Sequence, residues 1–303
     1  MNETLKNCMT CDPLTKRTLI LLLNVHGIIT IIALLVIRAF HKFRNLRTAS
    51  NNILVSLSIA DGLLAIPLIL DIIQLCLDYN GGNLSCILKR VRGTVTLFLP
   101  SVIVLYLTLM SSERFIAIKL ALRYQAIVTK RRARIVSIVM WLWALVVTVA
   151  VPKVLQRATT GKDFREHIKA PLLVFQAVSM CVVPVLIILC SYTYIFMVCY
   201  KQRQLVREQG CNIPGMSTVK YHMKGAHTLA IVVALCLLSI IPMLAVPFLR
   251  VFSKSLGDRC RQMLLKQIFY YVAIFVNAIC IPLIYEWKNE EFRNAFRKIL
   301  KCC

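Results

Sequence analysis

Two places in this chain carry residues that could do chemistry in an apolar setting. Glu113 and Arg114 stand side by side at the end of Gly93–Ser112, a run without a charged residue, and Phe115-Ile116-Ala117-Ile118 follows them. An adjacent acid and base form an ion pair whose partners can be exchanged, which suits switching rather than bond-making. The alternative is a helix that has reached an interface and lets its charges snorkel. Asp61, in Leu57-Ser58-Ile59-Ala60-Asp61-Gly62-Leu63, is the other. An ionisable group in hydrocarbon costs roughly 2.5–3.5 kcal/mol, so it either serves a function or is hydrogen-bonded for packing. Cys8-x-x-Cys11 lacks a second pair or a histidine cluster, so no metal is expected. No nucleophile or phosphate-cradling motif is present, so neither a cofactor nor an enzyme is expected.

The elements that must hold these residues are membrane spans. The chain is 58% hydrophobic with mean hydropathy +0.72, and crossing a bilayer takes about 20 apolar residues. Seven stretches qualify: Leu19–Ile37, Asn51–Leu70, Gly93–Ser112, Ile135–Pro152, Ala170–Tyr200, Gly225–Leu249 and Gln267–Tyr285. The expected fold is an all-α membrane protein, a seven-helix bundle. Its divisions are an extracellular N-terminus (1–18), the seven-span domain (19–287), and an amphipathic helix with a short cytoplasmic tail (288–303). The first 13 residues lack a signal peptide's basic start and apolar core, so the first span is expected to act as its own insertion signal. With the N-terminus outside, 21 of the 37 Lys and Arg fall on the inner side, in line with the positive-inside rule. The sequons at Asn2 and Asn83 then lie outside, as candidate glycosylation sites.

Of the 13 cysteines, Cys8, Cys11, Cys86 and Cys260 would face the oxidising side, where four cysteines allow three pairings. Prolines 67, 100, 184, 242 and 282 interrupt spans, and each removes a backbone hydrogen bond and permits a kink. After the last span, Phe292, Phe296 and Ile299 share one helical face among charges, the pattern of a helix lying in the interface. Cys302 and Cys303 just beyond it are candidate palmitoylation sites.

Taken in order, these landmarks resemble a rhodopsin-like (class A) G-protein-coupled receptor across all seven spans. Leu46-Arg47-Thr48 with Ser56–Asp61 is similar to the family's first inner loop and second helix. Glu113-Arg114-Phe115 sits at its D/E-R-Y triplet, Leu122-Arg123-Tyr124 in its second inner loop, and Trp141 at its fourth-helix tryptophan. Pro184 with Tyr192, Pro242, and Ile281-Pro282-Leu283-Ile284-Tyr285 resemble its landmarks in helices five, six and seven. The resemblance implies that Glu113 restrains Arg114 at rest, and that Tyr192 and Tyr285 become its partners on activation. It also implies that Leu122 offers an apolar knob to the G protein. A ligand preferring one arrangement shifts the population toward it. Thr96 and Ile240 fall where the family's ligand pocket lies.

The departures are as informative. Ala33, Ile281 and Ile240 replace residues that in the family are Asn, Asn and Trp, and Ala121 stands for a loop proline. Lys89 stands where a third-helix cysteine is usual and Lys153–Lys169 holds no cysteine, so the usual outer disulfide is absent. That gap is similar to the melanocortin, lysophospholipid, cannabinoid and adenosine receptor group. Thr96 replaces the aspartate of amine receptors. Around Asp61, Ile103, Ala278, Ile281 and Ala33 replace the polar partners of a sodium pocket, leaving Asn277 and Ser58. At the inner end of the sixth span, His222 lies in Lys220-Tyr221-His222-Met223-Lys224, where many relatives carry an acid that tethers the arginine.

The expected partners are an extracellular ligand, a heterotrimeric G protein and membrane lipid, with no nucleic acid. Lys130-Arg131-Arg132 reads as inner-loop charge meeting anionic lipid. The expected location is the plasma membrane, with the C-terminus cytoplasmic. Sixteen outer Lys and Arg against seven Asp and Glu point to an anionic ligand, with solvated loop charge as the alternative. Two other functions fit the same bulk features. One is a ligand-binding or scavenging receptor of this fold that does not signal. The other is a secondary transporter, against which stand the lack of inverted repeats and the single deep acid.

Overall fold

The computed structural model describes residues 13–67, 69–70, 73, 77, 86–158, 171–172, 174–209, 234, 294–295 and 297–299. Helix α1 spans Pro13–Lys42 and α2 spans Ala49–Leu63. Helix α3, Cys86–Lys119, is the long central element, and a short α4, Tyr124–Ile127, follows it. Helices α5 (Lys130–Leu145) and α6 (Val151–Ala158) together make the fourth span, and α7 (Val183–Gln209) is the main part of the fifth. Among the described residues, four helices are long and apolar enough to cross a membrane: Ala49–Pro67, Arg90–Lys119, Lys130–Leu155 and Val174–Lys201.

Local chemistry fixes where these helices begin and end. Thr48 caps α2, its hydroxyl accepting from the Asn51 N–H at 3.2 Å, and Thr129 caps α5 by accepting from Arg132 N–H at 3.3 Å. Such caps satisfy N–H groups that the helix leaves without a partner. At the end of α1, Arg47 donates from Nη2 to the His41 carbonyl at 2.6 Å, while Asn51 Nδ2 donates to the Leu46 carbonyl at 2.9 Å. The turn between α1 and α2 is thereby tied at both ends.

The prolines act differently from one another. Three residues before Pro67 the helix has one turn residue, Leu64, whose N–H goes to the Asp61 carbonyl at 3.1 Å, and helix resumes at 65–67. At Pro100 α3 continues without interruption as one helix. Pro152, where the fourth span was expected to end, ends nothing. A π turn at Val146–Ala150 precedes it, and α6 carries the helix on to Ala158. The fifth span repeats the device, with a π turn at Val178–Val182 two residues before Pro184. A proline ring clashes with the carbonyl four residues back. Here those residues are Thr148 and Met180, each the central residue of its π turn. Widening the turn moves the carbonyl aside and lets the helix continue.

The core lies where α1, α2 and α3 meet, around Val36, Leu57, Ala60, Val102, Ile103 and Tyr106, with Ala144 and Ile188 joining from α5 and α7. Near the C-terminus Ala295 and Ile299 are buried in this core while Asn294, Arg297 and Lys298 are exposed. That agrees with an amphipathic helix carrying Ile299 on its apolar face. Asn2, Asn83, His222, Ile240, Pro242, Asn277, Pro282, Tyr285, Cys302 and Cys303 lie outside the described residues.

Candidate functional site

Helix α3 brings Glu113 and Arg114 to one end of the bundle, where the turn before α2 and the loop after α3 meet it. Glu113 is only 5% exposed, which excludes snorkelling for the acid. Its Oε2 lies 3.3 Å from Arg114 Nε, while its Oε1 accepts a short hydrogen bond from the Tyr124 hydroxyl. One buried carboxylate therefore serves two partners, which offsets the cost of burying it. Arg114 is 28% exposed, and its Nη2 points to Ser50 Oγ of α2 at 3.5 Å, the long limit of a hydrogen bond. The arginine thus touches the second helix as well as its own neighbour.

Tyr124 is the residue that the sequence did not single out. It belongs to the loop motif, but no helical period links it to Glu113, eleven positions earlier. A turn at Leu120 and a 3-10 turn at Ala121–Arg123 fold the chain back and bring it there. Burial first, and then the charge of Glu113, push its hydroxyl above the ordinary tyrosine range. It therefore remains a donor at neutral pH. Leu122, beside it, is fully exposed. That places an apolar side chain in the open next to the ion pair.

From α7, Tyr192 approaches the same end. Its hydroxyl is buried without a hydrogen-bond partner among the described residues, close enough to feel the charges of Arg114 and Glu113. A buried hydroxyl left unpaired costs free energy that a new partner would recover. Phe115 and Tyr194 meet edge to face at 4.9 Å, and Lys119 Nζ lies over both rings at 5.1 and 5.6 Å, linking α3 to α7.

Deeper in the bundle, Asp61 is buried and neither carboxylate oxygen has a hydrogen-bond partner among the described residues. Ala33 lies against its neighbour Gly62, at 3.5 Å from where a side chain would begin, so α1 presents a methyl group where a polar one would be needed. Ser58, expected as a helper, donates to the Leu54 carbonyl at 3.1 Å. Tyr106 pins α3 to α5 by donating to the Ser137 carbonyl at 3.1 Å, and Trp141 packs beside it with ring centroids 6.5 Å apart. Thr96 is half-buried, and its hydroxyl returns to the Arg92 carbonyl of its own helix at 2.8 Å. Among the described residues no cluster of His, Cys, Asp and Glu could hold a metal.

Comparison with known proteins gives the family. Residues 33–285 match the family model described as 7 transmembrane receptor (rhodopsin family). The chain is 28% identical to chicken (Gallus gallus) adenosine receptor A2b over 285 residues, covering 84% of this chain and 79% of that receptor. It is 27% identical to human adenosine receptor A2a over 282 residues, covering 85% and 65%. It is 26% identical to the octopamine receptor beta-1R of Drosophila melanogaster over 305 residues, covering 88% and 58%. The chain belongs to the rhodopsin family of seven-transmembrane receptors: it is a multi-pass membrane protein that passes an extracellular ligand signal to a G protein, and it is not an enzyme.

Proposed function

We propose that Arg114 is the conformational switch of this receptor and that the arrangement described is the resting one. What carries this is the shared carboxylate: Glu113 holds Arg114 on one oxygen and Tyr124 on the other. On activation Arg114 leaves Glu113 and turns toward the unpaired hydroxyl of Tyr192, with Tyr285, Pro242 and Pro282 serving the movement of the last two spans. Leu122, free of packing, then meets the G protein. The N-terminus (1–18) faces outward at the plasma membrane, the spans occupy 19–287, and 288–303 lies along the cytoplasmic face. Asn2 and Asn83 would be glycosylated, Cys302 and Cys303 palmitoylated, and the basic start of α5 would rest on anionic lipid.

The ligand proposed is an anion. In this orientation the outer segments carry sixteen Lys and Arg against seven acids, which concentrates anions at the mouth. A basic mouth and the Thr96 hydroxyl, in place of an aspartate, disfavour a cationic amine such as the one named by the octopamine receptor relative. A nucleoside, as named by the adenosine receptor relatives, is the natural comparison.

The test is nucleotide exchange on purified G proteins by the receptor in lipid nanodiscs, screened with carboxylates, phosphates, adenosine and octopamine. An anionic agonist whose potency falls with added salt supports the ligand assignment, and a cationic agonist indifferent to salt overturns it. Arg114→Ala should abolish stimulated exchange while agonist still binds. Undiminished exchange in that variant would remove Arg114 from the switch.

A further inference from the structure

Arg132 stands at the basic start of α5, with Lys130, Arg131 and Arg134 around it and no acid in the first turn. A cation there faces the positive end of its own helix dipole, which is unfavourable. Its side chain does not stay on α5. It turns back across Val128 and Thr129, and Nη1 donates to the Ala126 carbonyl at 3.1 Å and to the Ile127 carbonyl at 3.2 Å. One guanidinium nitrogen carries two N–H groups, so both bonds form together. A cation misplaced on its own helix thus sits at the carbonyl end of the preceding one, where cations are favoured.

Helix α4 needs that contact. Tyr124–Ile127 is a single turn with no buried residue, so packing holds it weakly. One turn fixes several residues for one internal bond, here from Val128 N–H to the Tyr124 carbonyl at 2.8 Å. A helix also leaves its last carbonyls without partners inside it, and Arg132 serves two of them. The arginine is itself well anchored. Its backbone N–H goes to the Thr129 hydroxyl at 3.3 Å, and Ala133 beside it is buried in the core.

We propose that Arg132 is a positioning residue of the resting receptor: by keeping α4 wound, it keeps the Tyr124 hydroxyl on Glu113. This rests on the reading of Arg114 as the switch. Every link in the path is a contact between named atoms. Arg132 holds the carbonyl end of α4, Tyr124 at its other end donates to Glu113 Oε1, and Glu113 Oε2 pairs with Arg114 Nε at 3.3 Å. The fourth span thereby bears on the arginine of the third without touching it. The other use of a cation here is contact with anionic lipid, which a neighbouring cation would serve equally. Directed bonds to two carbonyls are particular to Arg132.

The test uses the whole receptor in nanodiscs of phosphatidylcholine alone, which removes anionic lipid. Arg132 is exposed, so Arg132→Gln should fold. Arg134→Gln, also at an exposed position, removes the same charge and is the control. Amide hydrogen exchange in the peptide covering 121–129 should quicken several-fold in Arg132→Gln and stay at the parent rate in Arg134→Gln. Arg132→Lys should restore part of the protection, since an ammonium also has donors for both carbonyls. Basal nucleotide exchange should rise about two- to tenfold in Arg132→Gln, the range that one net hydrogen bond spans. Added to Tyr124→Phe, Arg132→Gln should raise it no further, because both act through one hydroxyl.

Unchanged amide exchange in Arg132→Gln, or an equal change in Arg134→Gln, overturns the contact with α4 as what keeps it wound. Faster amide exchange with basal nucleotide exchange unchanged or lowered overturns the positioning role, and so does a rise that adds to that of Tyr124→Phe. The amide measurement reads the hold on α4 whether or not Arg114 is the switch, whereas Arg114→Ala tests the switch and leaves that hold in place.

Discussion

Tyr124 and Glu113 share a hydrogen bond at the end of α3, and the same carboxylate is paired with Arg114. The acid paired with the arginine is therefore itself held by a residue from the following loop. On the proposed switch, restraint of Arg114 would depend on the loop conformation as well as on the adjacent pair.

Tyr124→Phe leaves one oxygen of a buried carboxylate without its donor, a change worth about 1–3 kcal/mol. If part of that falls on the resting state, basal nucleotide exchange rises several-fold. The raised pKa of Tyr124 sets the pH behaviour. A group with a raised value contributes stability that is present below its unfolded pKa, about 10, and is lost only as pH rises through the higher folded value. The difference between parent and variant should accordingly be the same at mildly acidic and mildly alkaline pH. A difference that vanishes between those two conditions would show that the bond is not the cause.

By the family resemblance His222 falls at the inner end of the sixth span, where many relatives carry an acid that tethers the arginine, and its neighbours Lys220 and Lys224 are also basic. Supplying the acid with His222→Glu should stabilise the resting state by about 1–3 kcal/mol and lower basal exchange some 5- to 150-fold. Equal basal exchange in parent and variant would mean that the sixth span does not bear on Arg114.

Sodium should have little effect on agonist affinity. Hard cations need several oxygen ligands. Asp61 has no hydrogen-bond partner among the described residues, and Ala33 and Ile103 are both buried hydrocarbon. Asp61→Asn should be tolerated, with agonist affinity close to that of the parent. The check is an affinity series in sodium with choline holding ionic strength constant. A several-fold fall that the substitution abolishes would contradict it.

Gln176→Leu removes the donor from the Val147 carbonyl and keeps the size of the side chain. A buried carbonyl without its partner costs about 1–3 kcal/mol, so thermal unfolding in detergent should move down by a few degrees. An unchanged midpoint would mean that water replaces the amide without loss.

The sequence by itself determined the class. Span lengths, the lone Asp61, the Glu113–Arg114 pair and the order of landmarks follow from local composition and spacing, and these led to the family that the comparison shows. It also placed Ile299 on an apolar face, because a helical period is a local property. Tertiary structure decided what those residues touch. Tyr124 reaches Glu113 only because a turn reverses the chain, Ser50 meets Arg114 across 64 positions, and Gln176 finds Val147 across 29. Tertiary structure also decided the prolines. A single turn residue precedes Pro67, helix runs on through Pro100, and π turns precede Pro152 and Pro184. A proline's missing N–H is written in the sequence, but whether the chain kinks, widens or runs on depends on the packing around the carbonyl it displaces.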